Sequence, residues 1–163
     1  MEISIDIEGL EELQGAWEQA PQICREELEA AMYEADTLVE REVSEQTPRA
    51  HGLLAGSLTS EVQVGEDNVI GMVGTSMSYA APVEIGTRPH FPPIEPLIDW
   101  VRVKLGVSEK EARGVAFLVA RKISRVGTQG AHMFERGFAA VEAGIEEIFQ
   151  RALGRIVARL AGA

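Results

Sequence analysis

The sequence has one cysteine, three histidines and no apolar run near the roughly 20 residues that a bilayer-spanning helix requires. Each shortage excludes something. A lone Cys24 closes no internal disulfide, so a secreted disulfide scaffold is ruled out and a reducing cytoplasm fits. Beside Ile23 on a helical stretch, Cys24 reads as a small buried hydrophobe. His51, His90 and His132 stand 39 and 42 residues apart, and none has another His, Cys or Asp at metal-ligand spacing. No metal and no cofactor are therefore expected. The nucleophile elbow, the P-loop and the dinucleotide fingerprint are all missing. The start, MEISIDIEGL, lacks the basic residues and apolar stretch of a signal peptide, and no membrane partner is expected.

What is present is a globular composition, with 163 residues of which 45 % are hydrophobic and 25 % charged. That is enough for a single domain spanning 1–163 with one sizeable core. The net charge of −11 is unevenly placed. Residues 1–46 hold 14 acids and 2 bases, whereas residues 102–125 hold seven bases against Glu109 and Glu111. A strongly acidic end and a separate basic patch suit head-to-tail association of identical subunits. A solvated acidic helix face is the plainer alternative.

Three parts follow along the chain: an acidic helical part over 1–46, a loop and sheet over 47–93, and a helical part over 94–163. Ile3, Ile5 and Ile7 alternate with polar residues and predict a short strand. Leu10, Leu13 and Trp17 then predict a helix, which Pro21 interrupts to begin a second one. In that second helix Leu28, Met32, Ala35, Val39 and Val43 form an apolar stripe, with glutamates over most of the rest. Thr47-Pro48 ends it. Residues 49–56, with two glycines, predict an exposed, mobile arm. Strands are expected over Leu58–Val64 and Asn68–Val73 around a Gly65-Glu66-Asp67-Asn68 turn. A short helix or turn and an extended segment should then occupy Ser76–Pro93.

In the last part Ile94, Leu97, Ile98, Val101 and Leu105 share a face up to Gly106, which is placed for a left-handed cap. Ser108 and Glu111 spell a capping box before a helix with Ala112, Val115, Ala116, Val119, Ala120 and Ile123 inward. Gly127 and Gly130 open a loop. Phe138, Val141, Ile145, Ile148, Ala152, Ile156 and Leu160 line a terminal helix, with Arg151, Arg155 and Arg159 toward its negative dipole end. The fold class is α+β, with a small antiparallel sheet packed against a long N-terminal helix and three C-terminal helices.

Little here suggests catalysis. Glu84 and His90 flank a glycine turn and could form an acid–base pair, giving a small metal-independent hydrolase or toxin with His132 as a further participant. Glu84 lies between Val83 and Ile85, however, and is better suited to accept backbone N–H groups of the following turn. The helix pair around Gly106 loosely matches a helix-turn-helix. Glu109 and Glu111 stand at the end that would read bases, which argues against sequence-specific DNA binding. An acidic DNA mimic would rest on residues 1–46 alone.

Three segments carry a resemblance. Thr47-Pro48 with Gly52, Leu54 and Ser57 spells T-P-x-x-x-G-x-L-x-x-S, and residues 79–87 spell Y-A-x-x-V-E-x-G-T. Met133-Phe134 opens the terminal helix after Gly127-Thr128. This order resembles the tail-completion, or head–tail joining, proteins of long-tailed bacteriophages and prophages, across residues 25–150. His51 and Pro82 depart from the family pattern. The resemblance implies a virion structural protein, not an enzyme, made in the bacterial host cytoplasm and located in the tail or neck. It implies a homo-oligomeric ring of six subunits that meets connector and tail-tube proteins and leaves a lumen for DNA passage.

On that reading Tyr79, Glu84, Gly86, Thr87, Arg88, His90 and Phe91 are candidates for a subunit or partner interface. Thr47, Pro48, Arg49, His51, Gly52, Leu54 and Ser57 would form a mobile docking loop. Arg102, Lys104, Arg113, Arg121, Lys122 and Arg125 form the basic patch, which would meet the acidic face of residues 26–45 on a neighbour or line the lumen.

Overall fold

A computed structural model describes residues 10–66 and 68–162. The strand expected at Ile3–Ile7 lies outside the described residues. Helix α1 runs without a break over Leu10–Gln46, with Pro21 inside it. The expected new helix at Pro21 is thus not formed. Pro21 is exposed, and on a solvated face the carbonyl that loses its donor can bond water, so the ring is tolerated at a modest cost. Trp17, expected inward, is 69 % exposed. The helix does stop at Thr47-Pro48, where the Thr47 hydroxyl donates to the Val43 carbonyl at 2.6 Å and satisfies one of the last orphan acceptors.

A short 3-10 turn over Ala55–Ser57 leads into β1 (Leu58–Val64), which pairs antiparallel with β2 (Val69–Thr75). The Gly65 N–H donates to the Asn68 carbonyl at 2.8 Å and closes the hairpin. Helix α2 (Ala80–Ile85) and the two-residue strand β3 (Gly86–Thr87) follow. Helices α3 (Ile94–Leu105) and α4 (Glu109–Val126) then form a hairpin through Gly106, whose φ of 64° makes it the left-handed cap that its position predicts. Ser108 starts α4 but does not cap it with its side chain. Its hydroxyl donates instead to the Glu111 carboxylate at 2.5 Å.

After Gly127 comes a strand that the sequence pattern does not reveal. β4 (Thr128–Gln129) pairs antiparallel with β3, Gly86 opposite Gln129 and Thr87 opposite Thr128. Helix α5 (Met133–Ala161) ends the described chain. The architecture is α+β, as expected: a long N-terminal helix, a small antiparallel sheet and several C-terminal helices.

The chain divides into two compact units. The first takes α1 up to Leu38, residues 60–72 and α5 from Val141. Its core is made of small residues, Ala31 and Ala35 against Ile148 and Ala152, with Leu38, Ile145 and Phe149 packed around them. Small side chains let two helix backbones approach closely. The same helices carry a ladder of ion pairs: Arg151 to Glu34 at 2.7 Å, Arg155 to Glu27 at 2.6 Å, and Arg159 to Glu26 at 2.8 Å and Glu27 at 3.1 Å. The three arginines therefore do more than face the helix dipole. Hydrogen bonds from Gln22 and then Arg159 hold the Glu26 carboxyl below its usual range, and those from Arg155 and Arg159 do the same for Glu27. The paired carboxylates raise Arg159 in turn.

The second unit takes residues 39–59 and 73–140. One of its cores gathers Val43, Leu54, Leu58, Ala80 and Met133; the other lies within the α3–α4 hairpin, around Val101, Ala112 and Ala116. Besides Trp17, three expected inward residues differ. Leu105 and Phe138 are exposed, and Cys24 in the first unit is half-buried, not fully so.

Candidate assembly surface

The second unit brings together the three segments singled out in the sequence. Glu84, at the end of α2, reaches the start of α5 fifty residues later. Its carboxylate accepts the N–H of Phe134 at 3.1 Å and of Glu135 at 3.4 Å. Its carbonyl accepts the N–H of His132 at 3.0 Å, and the Val83 carbonyl accepts that of Ala131 at 2.8 Å. A carboxylate on the free N–H groups of a helix start is stabilised by both hydrogen bonding and the helix dipole. Glu84 thus satisfies a helix start, not the following turn.

Backbone crowding beside this cap leaves no room for side chains. A Cβ on Gly86, where φ is +80°, would lie 2.2 Å from the Thr128 carbonyl oxygen. A Cβ on Gly127, where φ is +71°, would lie 1.9 Å from that of Thr87, and one on Gly130 would lie 2.3 Å from that of Glu84. The Thr87 and Thr128 hydroxyls meet at 2.9 Å across the two-residue ladder. Glu84, Gly86 and Thr87 are occupied in an internal clasp, so their place in the motif has a structural cause. Of the residues grouped with them, Tyr79, Arg88, His90 and Phe91 are exposed.

The segment expected to be a mobile docking arm is partly built into the core. Thr47 and Leu54 are buried, at 3 % and 5 % exposure, and the Thr47 hydroxyl lies 3.3 Å from the Met133 sulfur. Ser57 donates to the Leu54 carbonyl and meets the Thr75 hydroxyl at 2.7 Å. Gly52 adopts φ +77° at a turn. Two further contacts fasten the segment to α3: His51 Nε2 lies 2.9 Å from an Asp99 oxygen, and Lys104 donates to the Arg49 carbonyl at 3.0 Å. Pro48, Arg49 and His51 remain exposed.

The exposed part of this unit is apolar and cationic. A groove of about 500 Å³ is lined by Leu97, Trp100, Val119, Lys122, Ile123 and Val126, with Gly127 to Gln129 at its end. Trp100 also walls a smaller groove of about 270 Å³ with residues 48 and 50–54, Tyr79 and Val83. On the outer side of α4, Phe117 is 48 % exposed and its ring lies 6.1 Å from that of Phe91. Arg102, Lys104, Arg113, Arg121, Lys122 and Arg125 are all exposed. Among the described residues none of the six forms an ion pair, in contrast to Arg151, Arg155 and Arg159. Sequence reasoning passed over Trp100 and Phe117, which only their aromatic character could have flagged; Thr128 stood in the resemblance, but without its pairing to Thr87.

Glu84 and His90, offered as an acid–base pair, make separate contacts. No histidine lies within ion-pair distance of Glu84 among the described residues; His132 contacts Glu135 at 3.0 Å, and His90 donates to the Arg88 carbonyl at 2.9 Å. Among the described residues no cluster of His, Cys, Asp or Glu could hold a metal ion, and no helix is long and apolar enough to cross a membrane. Compared with family models, with curated proteins and with solved structures, the chain matches none.

Proposed function

We propose that this is a phage virion structural protein that completes the tail or joins it to the head, acting through binding and assembling as a homo-oligomeric ring. One observation supports the reading most. The three segments that carry the resemblance are far apart in sequence, yet they meet at the start of α5. Thr47 touches Met133, Glu84 caps Phe134, and Gly86 and Thr87 pair with Thr128 and Gln129. Strings that co-occur by chance have no reason to form one contact network. The hydrolase alternative loses ground because the carboxylate it needs is already engaged by two backbone N–H groups.

In this reading the exposed Trp100 grooves and the unpaired cations are contact surfaces for the neck and the tail tube. Such surfaces, apolar with a charged rim, are what a subunit presents before it assembles. The test is direct. Purified tail tubes that lack the protein are mixed with it and imaged by negative stain. Added density confined to one end of the tube is expected. Tubes with bare ends at saturating protein would refute the reading.

A further inference from the structure

We infer that Trp17 of one copy inserts into the larger Trp100 groove of a second copy. The inference rests on the assembly reading and names the contact that builds the ring; the smaller groove and the remaining cations are left to the neck and the tail tube. Trp17 is 69 % exposed, more than any other aromatic side chain among the described residues. Its neighbours Ala16 and Ala20 are short, and with Val157, Leu160 and Ala161 they line a shallow apolar hollow of about 330 Å³ beside it. Among the described residues nothing covers this ring. Tryptophan is one of the residue types that most often anchor an interface, because it brings a large apolar area and one polar atom.

The groove has the chemistry that an indole needs. Leu97 and Trp100 of α3 and Val119, Ile123 and Val126 of α4 make it apolar, and about 500 Å³ is room for a whole side chain. Lys122 lines it and forms no ion pair among the described residues, so its ammonium is available to the face of a second ring. Thr128 and Gln129 at its end offer acceptors for the indole N–H. Charge then selects Trp17 as the occupant. Residues 1–24 hold six acids and no base, whereas residues 102–125 hold seven bases against two acids. Glu18, beside Trp17, is exposed and forms no ion pair among the described residues. Phe91 and Phe117 stand within four residues of exposed arginines, Arg88 and Arg121, and would bring cations against cations. The hollow and the groove are different surfaces, so the contact propagates into a closed ring or an open filament.

Light scattering across a concentration series tests this with the full chain. The unmodified protein should associate, and less so at high salt. Trp17→Ser should weaken association about thirty-fold or more, and so should Lys122→Glu with Val126→Glu, each with unchanged circular dichroism. The decisive sample mixes the two variants. The first keeps an intact groove and the second an intact Trp17, so together they should form a one-to-one dimer and nothing larger. A folding defect in either would not allow that. A mixture that stays monomeric overturns the contact, and so does normal assembly by either variant alone. If the groove variant assembles normally but no longer binds tail-tube ends, the contact is overturned and the groove belongs to the tail-tube protein. A monomeric unmodified protein also overturns it, and the tail-tube experiment then decides the joining role separately.

Discussion

In the first unit α5 meets α1 through alanines and through the tips of arginine and glutamate side chains. In the second, the chain around the start of α5 is held by backbone against backbone, with carbonyl oxygens where glycine Cβ atoms would be. The first arrangement can adjust, because long side chains rotate and exposed ion pairs contribute little each. The second cannot, because a carbonyl of a paired strand moves only if the pairing breaks. The two units should therefore respond to substitution very differently.

The largest effect should come from Gly127→Ala. It forces a left-handed φ on alanine and drives a Cβ into the Thr87 carbonyl, and a loss of about 3 kcal/mol or more is expected in urea unfolding. Melting unchanged from wild type would mean that the clasp is not rigid. Gly86→Val should behave alike, above the 1–2 kcal/mol that a positive φ alone costs. Next comes Glu84→Ala, which uncaps α5 and should cost about 1–2 kcal/mol, with Glu84→Gln recovering part of it. If Gln proves no better than Ala, the hydrogen bonds are not the cause.

The counterpart in the first unit is Gly71→Ala. There the new methyl would meet the buried Asp36 carboxylate, a side chain that can shift where Gly127 would need backbone to move, and about 1–2 kcal/mol is expected. A cost matching that of Gly127→Ala would erase the distinction between the units. Smallest of all is Arg155→Ala, whose effect should depend on pH. Because Glu27 is held below its usual range in the folded chain, the pairing stabilises fully above the ordinary carboxylate range and is lost as pH falls through the lowered value. The difference from wild type in denaturant midpoint should shrink on acidification; a constant difference would show that Arg155 acts by packing alone.

Elements whose signals are local were legible in the sequence. The β1–β2 hairpin announces itself by alternation around a polar turn, and α3 and α4 by Gly106 and Ser108 between two periodic runs. Pro21 misled because its penalty falls when it faces solvent, and the sequence does not say which way it faces. The β3–β4 pair was illegible for a different reason. Two-residue strands have no period, and Thr87 and Thr128 are 41 residues apart. Its glycines were visible, but only the fold explains why a Cβ is forbidden at each. The acidic face was legible as composition, yet which carboxylates are spent on α5 depends on helix packing that periodicity alone does not give.

The clip between β3 and β4 has a consequence for how the chain can vary. Everything from Arg88 to Val126, including both helices of the α3–α4 hairpin and the core inside it, leaves and re-enters at one strand pair whose Cα atoms lie about 5 Å apart. A segment with adjacent ends and its own packing behaves as an exchangeable cassette. It can be lengthened, trimmed to a tight turn or replaced by a foreign hairpin while the Glu84 cap and the register of α5 stay as they are. That would let one scaffold acquire new partners by swapping a single module.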